Sequence, residues 1–187
     1  MEVTFFYIMV REEIVKALED AIKEIKCEVD SWRRKVGAPD TQDLECLNLI
    51  MKKENALRIL SGEKNVEYRP CTSYYRDRLY DKNVENFYER HKEDESIARE
   101  FCHYGFLDAL RRVKKIHFHN YSNTWYLDVE LVSNGYVIAN QDGLSQMHDL
   151  FDDHELDSLV RKLDDEKENN RPIFFEFAIK SIISTNL

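Results

Sequence analysis

From Lys114 to Ser133 apolar and polar side chains alternate with a period of two, and no other stretch of this 187-residue chain restricts its fold as tightly. Ile116, Phe118, Trp125, Leu127, Val129 and Leu131 fall on one side of such a ribbon, and Lys115, His117, His119, Tyr126, Asp128 and Glu130 on the other. The pattern predicts strands over 114–121 and 124–133 joined by a two-residue turn at Ser122-Asn123. That register sets His117 opposite Asp128, Lys115 opposite Glu130 and His119 opposite Tyr126, and a slip of one residue would separate the histidines from the aspartate. Asn134-Gly135, the dipeptide best suited to a tight hairpin, then predicts a turn into a third strand over 136–141, pairing Leu131 with Ile138.

The rest of the chain is read around this meander. Val3–Val10 is a nearly continuous apolar run and reads as a buried strand; it follows Glu2, carries no basic leader and is not read as a signal peptide. From Arg11 to about Lys35, Ile14, Leu18, Ile22, Ile25, Val29 and Trp32 recur at helical spacing, and Gly37 ends the helix. Pro39 and Asp40 open a second predicted helix, with Leu44, Leu47, Met51 and Leu57 to Leu60 on its buried side, that runs to Gly62. Residues 63 to 80 read as irregular, 83–91 and 96–113 as helices, 142–169 as an acidic helix, and 173–183 as a last strand with Glu176 and Lys180 on its polar side. These elements predict a single α+β domain over 1–187. Its sheet is expected to be mainly antiparallel, made of the N-terminal strand, the three-strand meander and the C-terminal strand, with several helices packed on one face. The N-terminal two thirds is helix-rich, and the C-terminal third holds the meander and the acidic helix.

Composition removes several classes of function. Lys and Arg number 27 against 36 Asp and Glu, a net charge of −9, which disfavours direct binding to duplex nucleic acid. Segment 142–169 holds ten carboxylates against Arg161, Lys162 and Lys167, so most of the excess lies there. With 5 Gly and 3 Pro, few loops can wrap a phosphate, and no GxGxxG, Walker-type lysine loop or GxSxG elbow occurs. The four cysteines Cys27, Cys46, Cys71 and Cys102 form no CxxC pair, which argues against structural zinc and for a reducing cytoplasm. No apolar run is long enough to cross a bilayer, so no membrane association is expected.

Two surfaces remain as candidates. Histidines at i and i+2 on a strand point the same way, so His117, His119 and Asp128 could hold one divalent transition metal, with Glu130 as base. In a metal-free alternative Asp128 would orient His117 as a general base while Lys115 steadies an anion. An ordinary wet sheet face with cross-strand His to Asp and Lys to Glu pairs has the same pattern. The second surface is YRPCTSYYRDRLY at 68 to 80, with four Tyr and three Arg, the residue types richest at binding hot spots. Tyr68, Arg69, Tyr74, Tyr75, Arg76 and Arg78 are therefore expected to contact a partner, with Asp152, Asp153 and Asp157 of the acidic segment meeting a basic one. The same segment could instead pack on its own domain. Cys71 and Arg76 are one residue too close for a phosphatase loop, and Asn140, Asp142, Gly143 and Asp149 match a calcium loop whose first ligand would be Ile138.

The leading expectation is a non-enzymatic cytoplasmic protein that inhibits or neutralises another protein by occluding its surface, of immunity or anti-defence type. Its expected partner is a protein such as a nucleic-acid-processing enzyme with a basic groove, and no cofactor is required. The alternatives are a metal-dependent phosphoesterase or nuclease built on the His, Asp and Glu face, and a single-stranded nucleic-acid binder using the Tyr and Arg segment.

Overall fold

The computed structural model describes residues 2–104, 109–138, 140–151, 154–156 and 172–187. In chain order the elements are α1 (Glu2–Val36), β1 (Leu47–Ile50), α2 (Lys53–Leu60), β2 (Val66–Pro70), α3 (Ser73–Leu79), α4 (Lys82–His91), α5 (Glu95–Tyr104), β3 (Lys115–His119), β4 (Tyr126–Ile138), α6 (Gln141–Phe151) and β5 (Pro172–Thr185). The architecture is α+β, built on one five-stranded sheet in the order β1-β3-β4-β5-β2. The sheet is mixed and not mainly antiparallel, because β1 runs parallel to β3 while the other neighbours are antiparallel.

Several expectations are corrected. The apolar run Val3–Val10 is the first part of α1, not a strand; a run without periodicity does not distinguish the two, and neither Gly nor Pro separates it from the helical stripe that follows. The helix does end at Gly37, whose φ of +71° needs no Cβ, and Ala38 N–H donates back to Arg33 O at 3.0 Å. No second helix starts at Asp40. Leu44, Leu47 and Met51 mimic helical spacing, but Leu47, Leu49 and Met51 are the buried residues, the period-two signature of β1. The segment 63 to 80 is not irregular: it forms β2 and α3. The helix expected over 96–113 ends at Tyr104, and residues 109–113 instead make bridges from Leu110 to Tyr80 and from Val113 to Leu44.

There is also no hairpin at Asn134-Gly135, because β4 runs straight through both residues and neither takes a positive φ. The Asn134 side chain accepts from Val113 N–H at 2.8 Å and donates to Arg111 O at 3.0 Å, tying the residues before β3 to the middle of β4. At Gly135 an added Cβ would stand 3.0 Å from Glu176 Oε1 on β5, so the glycine serves close packing and not a turn.

The main core lies on one face of the sheet, where Leu47, Leu49, Ile116, Phe118, Leu127, Val129, Phe175 and Phe177 meet Ala56 and Ile59 of α2, Leu79 of α3 and Val84 of α4. Part of the opposite face is covered too, against the expectation of helices on one side. Met147 of α6 packs on Val137, with Tyr68, Ile173 and Phe174 around them, and Glu19 of α1 reaches Lys180 of β5 at 3.1 Å. Of the acidic segment, α6 and residues 154–156 are described, and Asp152, Asp153 and Asp157 lie outside the described residues. Among the described residues no helix is long and apolar enough to cross a membrane.

Candidate functional site

The register of β3 against β4 sets Lys115, His117 and His119 opposite Glu130, Asp128 and Tyr126. The parallel partner β1 extends the row with Asn48 beside His117 and Ile50 beside His119, and β5 adds Ser184 beside Asp128. Directly opposed residues point to the same side, so Asn48, His117, Asp128 and Ser184 form one polar row across four strands. It lies away from the main core, since Ile116, Phe118, Leu127 and Val129 take the inner positions.

Within that row, His117 Nδ1 lies 2.5 Å from Asp128 Oδ1, and Ser184 Oγ donates to Asp128 Oδ2 at 2.7 Å. An ionised carboxylate only accepts, so the Nδ1 proton belongs to His117 and its Nε2 keeps a lone pair when the ring is neutral. His119 Nδ1 is 2.9 Å from Asn120 O, and a carbonyl also only accepts, which fixes the same tautomer. The His117 ring stacks on His119 at 5.5 Å and on Tyr126 at 5.7 Å between centroids. Both oxygens of Asp128 are engaged, which makes it an orienting partner of the imidazole rather than a free ligand. Among the described residues no three His, Cys, Asp or Glu side chains converge as a metal site. Glu130 belongs to a neighbouring cluster, with Lys180 Nζ at 3.4 Å and Ser181 Oγ at 3.2 Å.

The Tyr and Arg segment is folded onto the outer edge of β1. Even-numbered residues of β1 turn their carbonyls away from β3, and these are held by guanidiniums: Arg78 donates to Asn48 O at 2.9 Å and Arg69 to Ile50 O at 3.0 Å. Such an edge is closed to strand addition. Arg78 also donates to Tyr74 Oη at 3.0 Å and lies over that ring at 5.3 Å, and Tyr74 meets Tyr75 edge to face at 5.0 Å. Tyr75 packs on the main core, whereas Tyr74 is 60% exposed. Arg76 lies over the ring of Tyr80 at 5.1 Å, and Tyr68 packs with Phe174 on the far face beneath Lys64. The segment is thus divided: Tyr68 and Tyr75 face inward, and Tyr74, Arg78 and Arg69 border β1.

Beside that edge lies a cleft of about 380 Å³ lined by Ile50, Lys52, Glu67, Arg69, Asn120 and Tyr121, among others. Glu67 is 4% exposed, with Arg69 at 2.8 Å and Lys64 at 3.5 Å. Burial pushes its carboxyl up even though both cations draw it down. Tyr121, 88% exposed, and Ile50 stand at the rim.

No protein-family model, no curated protein and no solved structure matches this chain.

The structure also bears on the phosphatase-like and calcium-like patterns. The Cys71 thiol is pushed up to about 11 by burial, only partly opposed by Arg76, so it stays protonated at neutral pH and is a poor nucleophile. Asn140 accepts from Gly143 N–H at 2.7 Å and so caps α6, where a calcium loop would have turned the same side chain to an ion. One residue of interest escaped the sequence reading. Alternation places Glu176 on the polar side of its strand, yet among the described residues its buried Oε2 has no hydrogen-bond partner, and burial pushes the carboxyl up to about 7. Alternation alone carries no signal for this, because Glu176 is polar in sequence and buried only by what lies on that face.

Proposed function

We propose that this is a non-enzymatic, cytoplasmic protein-binding protein that inhibits or neutralises a partner by covering its surface, of immunity or anti-defence type. The observation that supports this most is the arrangement at the β1 edge, where Arg78 bonds at once to Asn48 O and Tyr74 Oη while the Tyr74 ring stands in solvent. An aromatic and a guanidinium already fixed lose little side-chain freedom on contact, and these two residue types dominate binding hot spots. The adjoining cleft, with Glu67 and Arg69 inside and Ile50 and Tyr121 at its rim, can accept a side chain from the partner. With a net charge of −9 the favoured partner is basic, such as a nucleic-acid-processing enzyme whose groove is occupied, with Asp152, Asp153 and Asp157 adding to the field. Affinity capture with the wild-type chain and with a Tyr74→Ala, Arg78→Ala double variant tests this, each residue being worth about 2–4 kcal/mol if it is a hot spot. The double variant should lose the captured partner; retention of the same partner at the same salt would remove this edge from the interface.

The imidazole of His117, held by Asp128, supports a second function: a metal-dependent phosphoesterase or nuclease with His117 and His119 as ligands and Glu130 as base. Two imidazoles with fixed tautomers suit a divalent transition metal, but Asp128 can join them only by giving up a bond to His117 or Ser184. Titration with Zn²⁺ and Mn²⁺ on wild type and His117→Ala decides it: one ion per chain, lost in the variant, supports the metal enzyme, and no binding removes it. For single-stranded nucleic acid, Arg69 and Arg78 already donate to protein oxygens, which reduces what the segment offers a phosphate backbone.

A further inference from the structure

A groove of about 240 Å³ runs between α1 and β4, at the point where β4 changes register between Leu131 and Ser133. Its apolar wall is Ile22, Ile25 and Val29 of α1 with Leu110 and Val132. Ile25 is 45% exposed although it belongs to the helix's apolar stripe, so the stripe is left uncovered where the groove opens. Lys26, Arg33, Arg111 and Arg112 also line it, against Asp30 and Asp43.

The two acids are already matched. Asp30 lies 3.6 Å from Arg33 and 3.8 Å from Lys26, and Asp43 lies 3.6 Å from Lys114. Arg111 donates to Gln42 O at 3.0 Å and to Asp43 O at 3.3 Å. The guanidinium of exposed Arg112 has no such bond among the described residues, while its backbone is fixed by Leu44 N–H donating to Arg112 O at 2.7 Å. In a chain of net charge −9, this groove therefore combines an apolar wall exposed at Ile25 with a local excess of positive charge and, among the described residues, an uncommitted guanidinium on an anchored backbone.

We propose that the groove between α1 and β4 binds a small amphiphilic anion, an unbranched apolar chain ending in a carboxylate or a phosphate. The chain would lie on Ile22, Ile25, Val29 and Val132, and the head group would be taken by Arg112, a planar donor that matches either oxyanion in two parallel hydrogen bonds. At about 30 Å³ per heavy atom, the volume share of a water molecule, 240 Å³ holds roughly eight such atoms. Octanoate and octyl phosphate, whose eight carbons match that number and leave the head-group oxygens to exposed Arg112, are thus suitable probes. This site is separate from the β1 edge and from the His117 row, and does not depend on the function assigned to either.

The experiment is calorimetric titration of octanoate, octyl phosphate and 1-octanol into the full chain and into Arg112→Gln, Ile25→Asp and Arg34→Gln variants. Thermal melts confirm that each variant is folded. The expected result is saturable binding of one or both anions, weakened about tenfold or more by R112Q, abolished by I25D and unchanged by R34Q, with octanol much weaker. Binding of octanoate alone marks a carboxylate site and of octyl phosphate alone a phosphate site; equal binding marks the shared oxyanion chemistry. No saturable binding of either anion, or binding indifferent to R112Q, overturns the proposal. So does a sedimentation experiment in which the wild-type chain is a dimer that I25D dissociates, since the apolar wall would then be covered by a second copy.

Discussion

Replacing Glu176 by Gln should make the chain's stability markedly less dependent on pH. Glu176 stands between Phe175 and Phe177 in sequence, so its carboxyl points to the face of β5 opposite those two core rings, and among the described residues its buried Oε2 has no hydrogen-bond partner. Burial raises it from 4.5 to about 7, with no charged neighbour contributing among the described residues. Between these values the folded state holds a proton that the unfolded state has released. Folding stability therefore falls as pH rises through that window, is unaffected by Glu176 below about 4.5, and carries the full penalty above about 7. At 1.36 kcal/mol for each pH unit, the shift amounts to about 3 kcal/mol, a large part of the 5–15 kcal/mol typical of a domain. Glutamine keeps the shape beside Gly135 but cannot ionise, and its unsatisfied amide adds an offset independent of pH. Denaturant unfolding of wild type and E176Q followed by tryptophan fluorescence, from about pH 4.5 to about pH 8.5, gives the difference curve. In that difference the contribution of Glu67, present in both proteins, cancels. E176Q should gain about 3 kcal/mol on wild type across the window. A difference that stays flat within about 0.5 kcal/mol, the error of such extrapolations, would refute the burial of a chargeable carboxyl at this position.

Gly135→Ala sets a Cβ at 3.0 Å from Glu176 Oε1 and should cost about 1–3 kcal/mol by thermal melting, the range for overpacking a close contact. Asp81→Ala removes acceptors at 2.9 Å from Asn83 N–H, which caps α4, and at 2.8 Å from Gln42 N–H. A loss of about 2 kcal/mol in denaturant unfolding is expected, and one below about 0.5 kcal/mol would show that water replaces both bonds. Phe118→Ala empties a fully buried position of β3, and a loss of about 3–5 kcal/mol with an unchanged denaturant slope is the expected outcome of the same measurement.

What the sequence disclosed depends on how far each signal reaches. The His117 to Asp128 register was legible because the pair lies eleven positions apart and strict alternation permits few ways to join two strands so close together. The α1 stripe and its stop at Gly37 were legible for the same local reason. The strand Leu47–Ile50 was not, because four residues give too short a sample to separate a period of two from a spacing of three and four, and its partner β3 lies about 70 residues away. Asn134-Gly135 misled most: its turn chemistry is a local preference, and here two non-local demands outweigh it, the Asn134 bonds to residues 111 and 113 and the approach of Glu176 to Gly135. The Tyr and Arg segment was legible as unusual but not as divided. Which of its residues turn inward is decided by β5 and β1, neither of which is adjacent to it in sequence.

The two candidate surfaces share β1. Asn48 and Ile50 stand beside His117 and His119 in the register, while their carbonyl oxygens accept from Arg78 and Arg69. A change in the β1 backbone would therefore disturb the histidine row and the Tyr74 edge together, and no variant of Asn48 or Ile50 can tell a binding function from a catalytic one. Side chains that belong to one surface alone can. His117→Ala breaks the bond to Asp128 and leaves the arginine bonds to β1 in place, whereas removal of Tyr74 leaves the His117, Asp128 and Ser184 chain intact. If the protein works by covering a partner, capture should follow Tyr74 and ignore the Nε2 lone pair of His117. If it works by chemistry, turnover should follow that lone pair and ignore Tyr74. A His117→Gln variant that captured a partner as well as wild type would show that the polar row is a solvated sheet face, stabilised by cross-strand pairs worth about 0.2–1 kcal/mol each and by nothing more.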